Sequence, residues 1–385
     1  MAETLSGVNG RIIRWARENY NMSTDEAARA IGVDISRYMN WEDGTEYPTY
    51  SKLKKISDVF HRPSGIFFLP EPPVLPEIKG DLRTLSDEIV STFSKNIIIQ
   101  FEKAKVYQLN LQELYGAKDS IIAQRHTFPI DITKLCAFFR RQLGFSISEQ
   151  KKIKSTKIVF EIFREKFYDI GIYVFKDAFK DNRISGICLN DNHFPIIVIN
   201  NSMSYARQNF TLFHELFHLI SDTSGAEIIR DDYYNALNDH QKEIERSCDS
   251  FANAFLVPID DFKQELSKKP LNEERIEGLS NLYSVSKEAI MYKLLKMGLM
   301  TFDEYNSYKE FFYGDAIRNG QVKQTQGGGN HYFTHVTYLG QKYTGDVFKQ
   351  YYSGKIDIIR ASEMLQMKVD HIPNLESVYF RGGNR

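Results

Sequence analysis

The stretch from Phe210 to Leu219 most constrains the fold of this chain, because it contains neither glycine nor proline and is mostly apolar. Such a run predicts a buried helix. His214 and His218 are four positions apart, so both imidazoles would leave the same face of that helix. Two imidazoles on one face can hold a Zn²⁺ ion, and Glu215 would lie beside the ion, where it can take a proton from water.

A core helix with two incidental histidines is the alternative interpretation of this short motif. Two observations favour the metal site. Burying two imidazoles and a carboxylate so close together is costly without a partner, and a metal ion supplies one. A third ligand is also available, since Glu245 precedes an apolar helical face that contains Phe251 and Phe255. His214, His218 and Glu245 would complete the two-His, one-Glu set of a catalytic zinc site, with the fourth position left for water.

Two other acidic residues and two other metals stay open at this point. Asp249 and Glu243 are weaker alternatives to Glu245 as the third ligand. Imidazole and carboxylate ligands also accept Mn²⁺ or Fe²⁺ in place of Zn²⁺. The sequence therefore predicts a zinc site without excluding these ions.

Composition and charge define the class of protein. The chain has 385 residues, enough for two or three domains. Its 49 basic and 50 acidic side chains nearly cancel, so any DNA contact must come from a local patch. Three widely separated cysteines favour a reducing compartment over a disulfide framework. The first residues lack the apolar region of a signal peptide, and no stretch is apolar for long enough to span a membrane. We expect a cytoplasmic protein that does not bind membranes.

The segment from residue 11 to residue 69 predicts a small helical domain. Ser23 and Glu26 predict a capping box at the start of a second helix, and Gly32 follows that helix in a tight turn. A third helix is expected over about Ile35–Glu42. A helix, a short turn with glycine and another helix make the helix-turn-helix arrangement.

This segment resembles the repressor-type, XRE-like domain of phage repressors. The residues that carry the resemblance are Ser23, Ala28, Gly32-Val33, Trp41-Glu42-x-Gly44, Pro48 and Leu53. It implies that Thr24 opens the supporting helix. It also implies a set of side chains facing the major groove, namely Ser36, Arg37 and Asn40, and guanidinium and amide groups suit base edges. Several acidic residues near the expected phosphates oppose this (Asp25, Glu26, Asp34, Glu42 and Asp43). DNA binding through residues 11–62 and binding to another protein both stay open.

The middle of the chain predicts a linker, helices and a small sheet. Pro70–Pro76 predicts an extended linker, and a long bracing helix is expected from Ser86 to about Tyr115. Two further helices are expected over residues 130–170. Three β-rich runs then predict a small, mainly antiparallel sheet under the His214 helix: Gly171–Phe175, Ile184–Leu189 and Pro195–Asn200. Asp191-Asn192 would form the hairpin turn between the last two runs.

Around the His214 motif the chain resembles the ImmA/IrrE metallopeptidases. The matching pieces are Ile196-Ile197-Val198-Ile199-Asn200, Arg207, Phe210-Thr211-Leu212-x-His214-Glu215-x-x-His218, Glu245-x-x-x-Asp249-x-Phe251-Ala252 and Leu256-x-Pro258. The resemblance extends over roughly residues 160–300, and Cys248 departs from it, since the family usually has alanine there. It implies a zinc-dependent endopeptidase with Glu215 as catalytic residue and with His214, His218 and Glu245 as metal ligands.

The resemblance also implies a partner and a division of the chain. The substrate would be a helix-turn-helix repressor or an antitoxin-like protein, and cleavage would derepress stress, mobile-element or defence genes. The predicted fold is α+β and predominantly helical. Its parts are an all-α helix-turn-helix domain at 1–69, a linker and long helix at 70–120, a zincin-like peptidase domain with a small antiparallel sheet at 121–316, and a flexible break with a helical C-terminal segment at 317–385.

Two functions of different class remain. The first is a zinc endopeptidase whose N-terminal domain locates DNA or a partner repressor. The second is a DNA-binding transcriptional regulator whose zinc domain senses a signal without proteolysis. A toxin or phage-defence component is a third option, and a homodimer is one of the open oligomeric states.

Overall fold

The structure, a computed structural model, describes residues 3–73, 93–223, 225–228, 237–319 and 330–382. The chain divides into two compact units, Met1–Glu102 and Lys103–Arg385. The predicted linker is described only as far as residue 73, and its remainder lies outside the described residues. The four-part division of the chain at 1–69, 70–120, 121–316 and 317–385 stays a prediction.

The first unit is built from short helices. They are α1 Gly10–Glu18, α2 Thr24–Ile31, α3 Ile35–Asp43 and α4 Tyr50–Val59, followed by a 3₁₀ turn at Ser64–Phe68. The predicted capping box is present, because the Ser23 hydroxyl accepts from the Glu26 amide while the Glu26 carboxylate accepts from the Ser23 amide. Gly32 ends α2 at a φ of 73°, a left-handed conformation that favours glycine. The helix-turn-helix prediction is confirmed.

The second unit is larger and contains the four strands found among the described residues. Its helices and strands in chain order are α5 Lys95–Tyr115 (which begins in the first unit), α6 Ile132–Leu143, α7 Ile147–Lys152, α8 Thr156–Asp169, β1 Tyr173–Asp177, β2 Ile184–Leu189, β3 Ile196–Asn200, α9 Tyr205–Ile220, β4 Gly225–Ile228, α10 Asp239–Leu256, α11 Ile259–Leu266, α12 Glu273–Tyr283, α13 Lys287–Lys296, α14 Phe302–Asn319, α15 His331–Leu339, α16 Gln341–Tyr352, α17 Ile358–Met364 and α18 Ile372–Gly382.

Two predicted boundaries differ from the structure. The long helix was expected from Ser86, but Phe93 and Ser94 are not helical and α5 begins at Lys95. Residues 86–92 lie outside the described part of the chain. The flexible break expected from residue 317 is wrong for residues 317–319, because α14 continues to Asn319. Residues 320–329 lie outside the described part of the chain.

The sheet is mixed, with strand order β1-β3-β2-β4. β2 pairs antiparallel with β3 and with β4, whereas β1 pairs parallel with β3. The expected antiparallel sheet is therefore wrong for the β1–β3 pair. β2 and β3 are buried along their whole length and β1 along most of it, and strands covered on both faces accept parallel pairing. Asp191 makes the predicted hairpin turn, since its Oδ1 accepts from the amides of His193 and Phe194 at 2.7 Å.

α9 lies against the sheet and contacts β2, β3 and β4. Its other side packs against α10 through aromatic rings. The rings of Phe213 and Phe255 stack with centroids 4.0 Å apart, and Phe163 of α8 meets Phe213 edge-on at 4.8 Å. Such contacts bury large apolar areas and fix the orientation of neighbouring helices. α9 is therefore fixed between the sheet on one side and α10 on the other.

The C-terminal helices pack on the same unit through buried polar contacts. The Arg164 guanidinium of α8 donates to the carbonyl oxygens of Thr337 at 2.5 Å and of Tyr338 at 2.7 Å. Tyr168 donates to an Asp346 carboxylate oxygen at 2.8 Å.

Among the described residues, no helix is long and apolar enough to cross a membrane.

Candidate metal centre

The predicted metal-binding helix is α9. It begins two turns before the motif, where the Ser204 hydroxyl accepts from the Arg207 amide and caps the first turn. Burial is nearly complete at the motif, with His214 at 2%, Glu215 at 0% and His218 at 3% exposure. Side chains as polar as these three are seldom buried without a hydrogen-bonding or charged partner. The helix therefore carries three chemically reactive side chains into the interior.

α10 supplies the opposite wall of the site. Asn238 and Gln241 form a capping box at its start, and the buried Phe251 and Phe255 hold its C-terminal half against α9. Glu245 lies on the side of α10 that faces the two histidines, with 16% of its side chain exposed. The two helices thus bring Glu245 into one cluster with His218, which precedes it by 27 positions in the sequence, and with His214.

The three predicted ligands converge. His214 Nε2 lies 3.2 Å from one carboxylate oxygen of Glu245, and His218 Nε2 lies 3.5 Å from the other. The two Nε2 atoms are 3.3 Å apart. Atoms bound at about 2.0–2.2 Å in a tetrahedral zinc site lie about 3.3–3.6 Å from one another. The separations within this cluster are those of a ligand set.

The outer nitrogens of both imidazoles have partners that fix their tautomers. His214 Nδ1 lies 3.0 Å from an Asp249 carboxylate oxygen, which can only accept a proton. His218 Nδ1 lies 3.0 Å from the Thr223 hydroxyl. That hydroxyl donates its one proton to the His218 carbonyl oxygen at 3.0 Å, so it accepts from Nδ1. When the imidazoles are neutral, both Nε2 atoms are then unprotonated and present lone pairs to the cluster.

This arrangement fits a bound divalent cation. Two Nε2 lone pairs and a carboxylate face one another, and all of them are acceptors that only a proton or a metal ion can bridge. Two imidazoles and one carboxylate form a donor set that Zn²⁺ takes up readily. His214, His218 and Glu245 would hold the ion.

Cys248 also enters the cluster. Its sulfur and one nitrogen each of His214 and His218 all lie within 4.8 Å of one another. The residue is fully buried. Cys248 was noted from the sequence only as a departure from a family pattern. Its spacing could have indicated a place in the cluster, because residues three apart on a helix, here Glu245 and Cys248, share one face of α10.

The two weaker alternatives for the third ligand lie elsewhere. Asp249 contacts Nδ1 of His214, on the opposite side of the ring from Nε2, so it orients the imidazole. Glu243 is exposed on α10. Neither carboxylate replaces Glu245 in this geometry.

Glu215 is placed by a close approach of the sheet. A Cβ atom on Gly186 of β2 would lie 2.4 Å from the Thr211 methyl carbon and 3.4 Å from Glu215 Oε1. Only glycine at position 186 lets α9 approach β2 this closely. Sequence reasoning did not identify Gly186 or Thr223, because both act through contacts that the fold creates.

The geometry does not select either of two polar residues near the motif in sequence, Tyr205 and His240, to stabilise an oxyanion. The Tyr205 ring lies 4.6 Å from the buried Lys176 ammonium and packs near Phe160 on α8. Tyr233 and Tyr234, which also follow the motif in sequence, lie outside the described residues. His240 stays without an assigned role.

The predicted DNA-reading residues lie on the first unit. Thr24 begins α2, and Ser36 and Arg37 are exposed on α3. Asn40 donates to Glu46 Oε1 at 3.2 Å, and Arg37 Nε lies 3.6 Å from Glu46 Oε2. The two residues with base-reading chemistry therefore share an acidic neighbour.

Two of the acidic residues expected to oppose DNA are neutralised within the unit. Glu42 is buried, and both of its carboxylate oxygens accept from the Arg17 guanidinium at 2.7 and 3.0 Å. Asp43 pairs with Arg14 at 2.5 Å. Their charge is largely screened from a ligand on α3.

Comparison with known families agrees with both resemblances. Residues 168–295 match the model of the peptidase M78 family described as the IrrE N-terminal-like domain. Residues 13–67 match the model described as Helix-turn-helix. No curated protein matches the chain. The first match contains α9 and α10, and the second contains α2 and α3.

Proposed function

We propose that this chain is a zinc-dependent endopeptidase. The premise is that it joins an XRE-type helix-turn-helix domain to an ImmA/IrrE-type metallopeptidase domain. The observation that carries the proposal is the cluster of two imidazole nitrogens and one carboxylate at separations of 3.2–3.5 Å. The substrate class would be a helix-turn-helix repressor or an antitoxin-like protein. Its cleavage would derepress stress, mobile-element or defence genes.

The chemistry divides between the ion and the side chains of the chain. When bound, Zn²⁺ would lower the pKa of water and polarise a scissile carbonyl. Glu215, next to His214 on α9, takes the proton of the attacking water on its carboxylate and passes it to the leaving amine. Asp249 and Thr223 hold both imidazoles in the tautomer that the ligand role needs.

The first experiment measures metal content by mass spectrometry in the wild-type chain and in variants. About one zinc per wild-type chain is expected, with less in His214→Ala and in Glu245→Ala. Glu243→Ala is the matched control, because Glu243 is an exposed glutamate on the same helix, and it should keep the metal. A wild-type chain that takes up no metal after zinc reconstitution would contradict the proposal.

The second experiment separates metal binding from catalysis through Glu215→Gln. Glutamine has a similar volume but cannot take up the proton, so this variant should retain zinc and cleave about 10²–10⁴-fold more slowly. Cleavage is followed by mass spectrometry on a peptide library made from unfolded proteins. If the wild type cleaves the library, an equal rate in Glu215→Gln would exclude Glu215 as the base.

The alternative function is a DNA-binding transcriptional regulator whose zinc domain senses a signal. The observation that favours it is the exposed surface of α3, where Ser36 and Arg37 are accessible. Transcriptional control that persists unchanged in Glu215→Gln would support this alternative. Loss of control together with loss of cleavage would support the peptidase.

A further inference from the structure

We infer that Cys248 is a fourth protein ligand of the metal ion, so that the resting site is closed by two histidines, one glutamate and one cysteine. The inference rests on the proposed function only in requiring that this cluster binds a metal. It departs from the open site expected from the sequence, in which water holds the fourth position.

The placement of the sulfur carries the inference. Cys248 Sγ lies within 4.8 Å of nitrogens on both His214 and His218, which themselves converge on Glu245. The side chain is completely buried. Since residues three apart on a helix share a face, α10 presents Glu245 and Cys248 to the cluster together.

The chemistry of the four groups points to zinc. A thiolate binds Zn²⁺ at about 2.3 Å, and a sulfur and a nitrogen on one tetrahedral ion lie about 3.5 Å apart. The Cys248 sulfur lies within 4.8 Å of a nitrogen on each histidine, so a side-chain shift on the order of 1 Å would bring it to that separation. Thiolate ligands favour zinc over Mn²⁺ and Mg²⁺, which prefer oxygen. Cys248 would thus decide the choice of metal that imidazole and carboxylate leave open.

A closed four-ligand site has a functional consequence. Sites with four protein ligands are typical of structural zinc, whereas catalytic sites keep one position for water or substrate. With Cys248 as a fourth ligand, the ion would offer no position for the water from which Glu215 would take a proton. The peptidase would be latent until the Cys248 thiol withdraws from the site.

Cobalt substitution tests the ligand directly, because a thiolate bound to Co²⁺ gives a charge-transfer absorption in the near ultraviolet that nitrogen and oxygen ligands do not give. The wild-type chain loaded with Co²⁺ should show this band. Cys248→Ser should lose it while retaining the visible ligand-field bands from the remaining ligands. Cys136→Ser is the matched control and should keep the band, because Cys136 is also a buried cysteine of the second unit and its sulfur donates to the Phe251 carbonyl oxygen.

Competition between metals gives a second readout. Zn²⁺ affinity should fall about tenfold or more in Cys248→Ser, while Mn²⁺ affinity should change little. Peptidase activity at saturating zinc should be higher in Cys248→Ser than in the wild type, because a position for water is then available. Activity equal to or below that of the wild type would contradict a closed resting site.

X-ray absorption at the zinc edge of the wild-type chain keeps the test independent of the variants' folding. One sulfur at about 2.3 Å is expected beside the nitrogen and oxygen ligands. A shell of nitrogen and oxygen alone, or a Co²⁺ spectrum unchanged by Cys248→Ser, would overturn the inference and leave the proposed function standing. A wild-type chain that binds neither zinc nor cobalt would overturn both.

Discussion

The orientation of the His218 ring depends on the hydroxyl group of Thr223. Asp222 adopts a left-handed conformation at a φ of 59°, which turns the chain back after α9. The Thr223 amide then donates to the His218 carbonyl at 2.9 Å, and the hydroxyl reaches Nδ1. The short polar segment after the helix therefore completes the site.

Replacing this hydroxyl should weaken metal binding. In Thr223→Val the side chain keeps its shape, but Nδ1 of His218 loses its buried acceptor. We expect the Zn²⁺ dissociation constant to rise about 10- to 100-fold, measured by competition with a chelator. Thr223→Ser retains the hydroxyl and should bind as the wild type does. An unchanged constant in the valine variant would show that the tautomer of His218 is set by another contact.

Asp249 should matter less than Thr223, although both contact an Nδ1 atom. The Asp249 side chain is 61% exposed, whereas Thr223 is buried. Water can replace an exposed carboxylate as acceptor. In Asp249→Ala the loss of zinc affinity should therefore be smaller than in Thr223→Val, in the same competition assay. A larger loss in Asp249→Ala would mean that its charge contributes directly.

At the scale of elements, the contact between β2 and α9 sets the depth of the site. Gly186→Ala would place a Cβ atom 2.4 Å from the Thr211 methyl carbon, a separation that forces the helix or strand to move. We expect a loss of about 1–3 kcal/mol in the free energy of unfolding, measured by chemical denaturation, and a loss of zinc affinity as His214 shifts.

Two further variants test this explanation. Gly278→Ala is the control, since a Cβ atom there meets no neighbour and alanine favours the helix by up to about 1 kcal/mol. The double variant Gly186→Ala with Thr211→Ser removes the clashing methyl group and should recover part of the lost stability. No recovery would mean that the strand, and not Thr211, resists the added carbon.

An ion network connects α7 with α11 and should make stability depend on acid. Lys151 contacts Asp261 at 2.9 Å and Glu265 at 2.7 Å. Burial raises the pKa of Glu265, but hydrogen bonds and charge from Lys151 and Lys268 outweigh burial and lower that pKa to about 2. Because the pKa of Glu265 is lower in the folded chain than in the unfolded chain, the ionised carboxylate stabilises the fold above about pH 4.5. This contribution is lost as the pH falls toward 2.

Glu265→Gln should therefore be less stable than the wild type at pH 6, with the difference shrinking by pH 3. The measurement is denaturant unfolding of the metal-free chain at both pH values, so that loss of zinc does not contribute. Glu277→Gln, on an exposed glutamate paired with Lys287, is the control and should change little. A constant difference between pH 6 and pH 3 would exclude the Glu265 carboxylate as the titrating group.

At the scale of the whole molecule, the sequence predicted the parts whose pattern is local. The capping box at Ser23, the helix with both histidines and the Asp191 turn each depend on residues a few positions apart. The convergence of Glu245 on these histidines could also be expected, because α10 has an apolar face that must pack against another element.

Features that depend on distant pairing could not be predicted in the same way. β1 and β3 are apolar runs buried on both faces, and such runs carry no alternation that reveals which strand pairs with which. Gly186 and Thr223 acquire their roles only when β2 and the turn after α9 meet the helix. No role for Cys248 follows from its position in the chain alone, since the direction of a sulfur within a helix bundle depends on how the helices pack.

The last prediction separates the two units of the chain by function. A double variant, Arg37→Ala with Asn40→Ala, removes the two side chains of α3 that have base-reading chemistry, while zinc content and peptide cleavage should stay at the wild-type level. Glu46→Gln removes the acid that both residues contact and should strengthen DNA binding, because one negative charge near the phosphates is lost.

Selection from a random duplex library at fixed salt measures these effects. Enrichment of one sequence by the wild type, loss of enrichment in the double variant and tighter binding in Glu46→Gln would establish α3 as the DNA-reading helix. If no sequence is enriched and the double variant instead loses cleavage of a repressor while still cleaving short peptides, the first unit recognises a protein. The acidic contact at Glu46 would then be a feature of that protein interface.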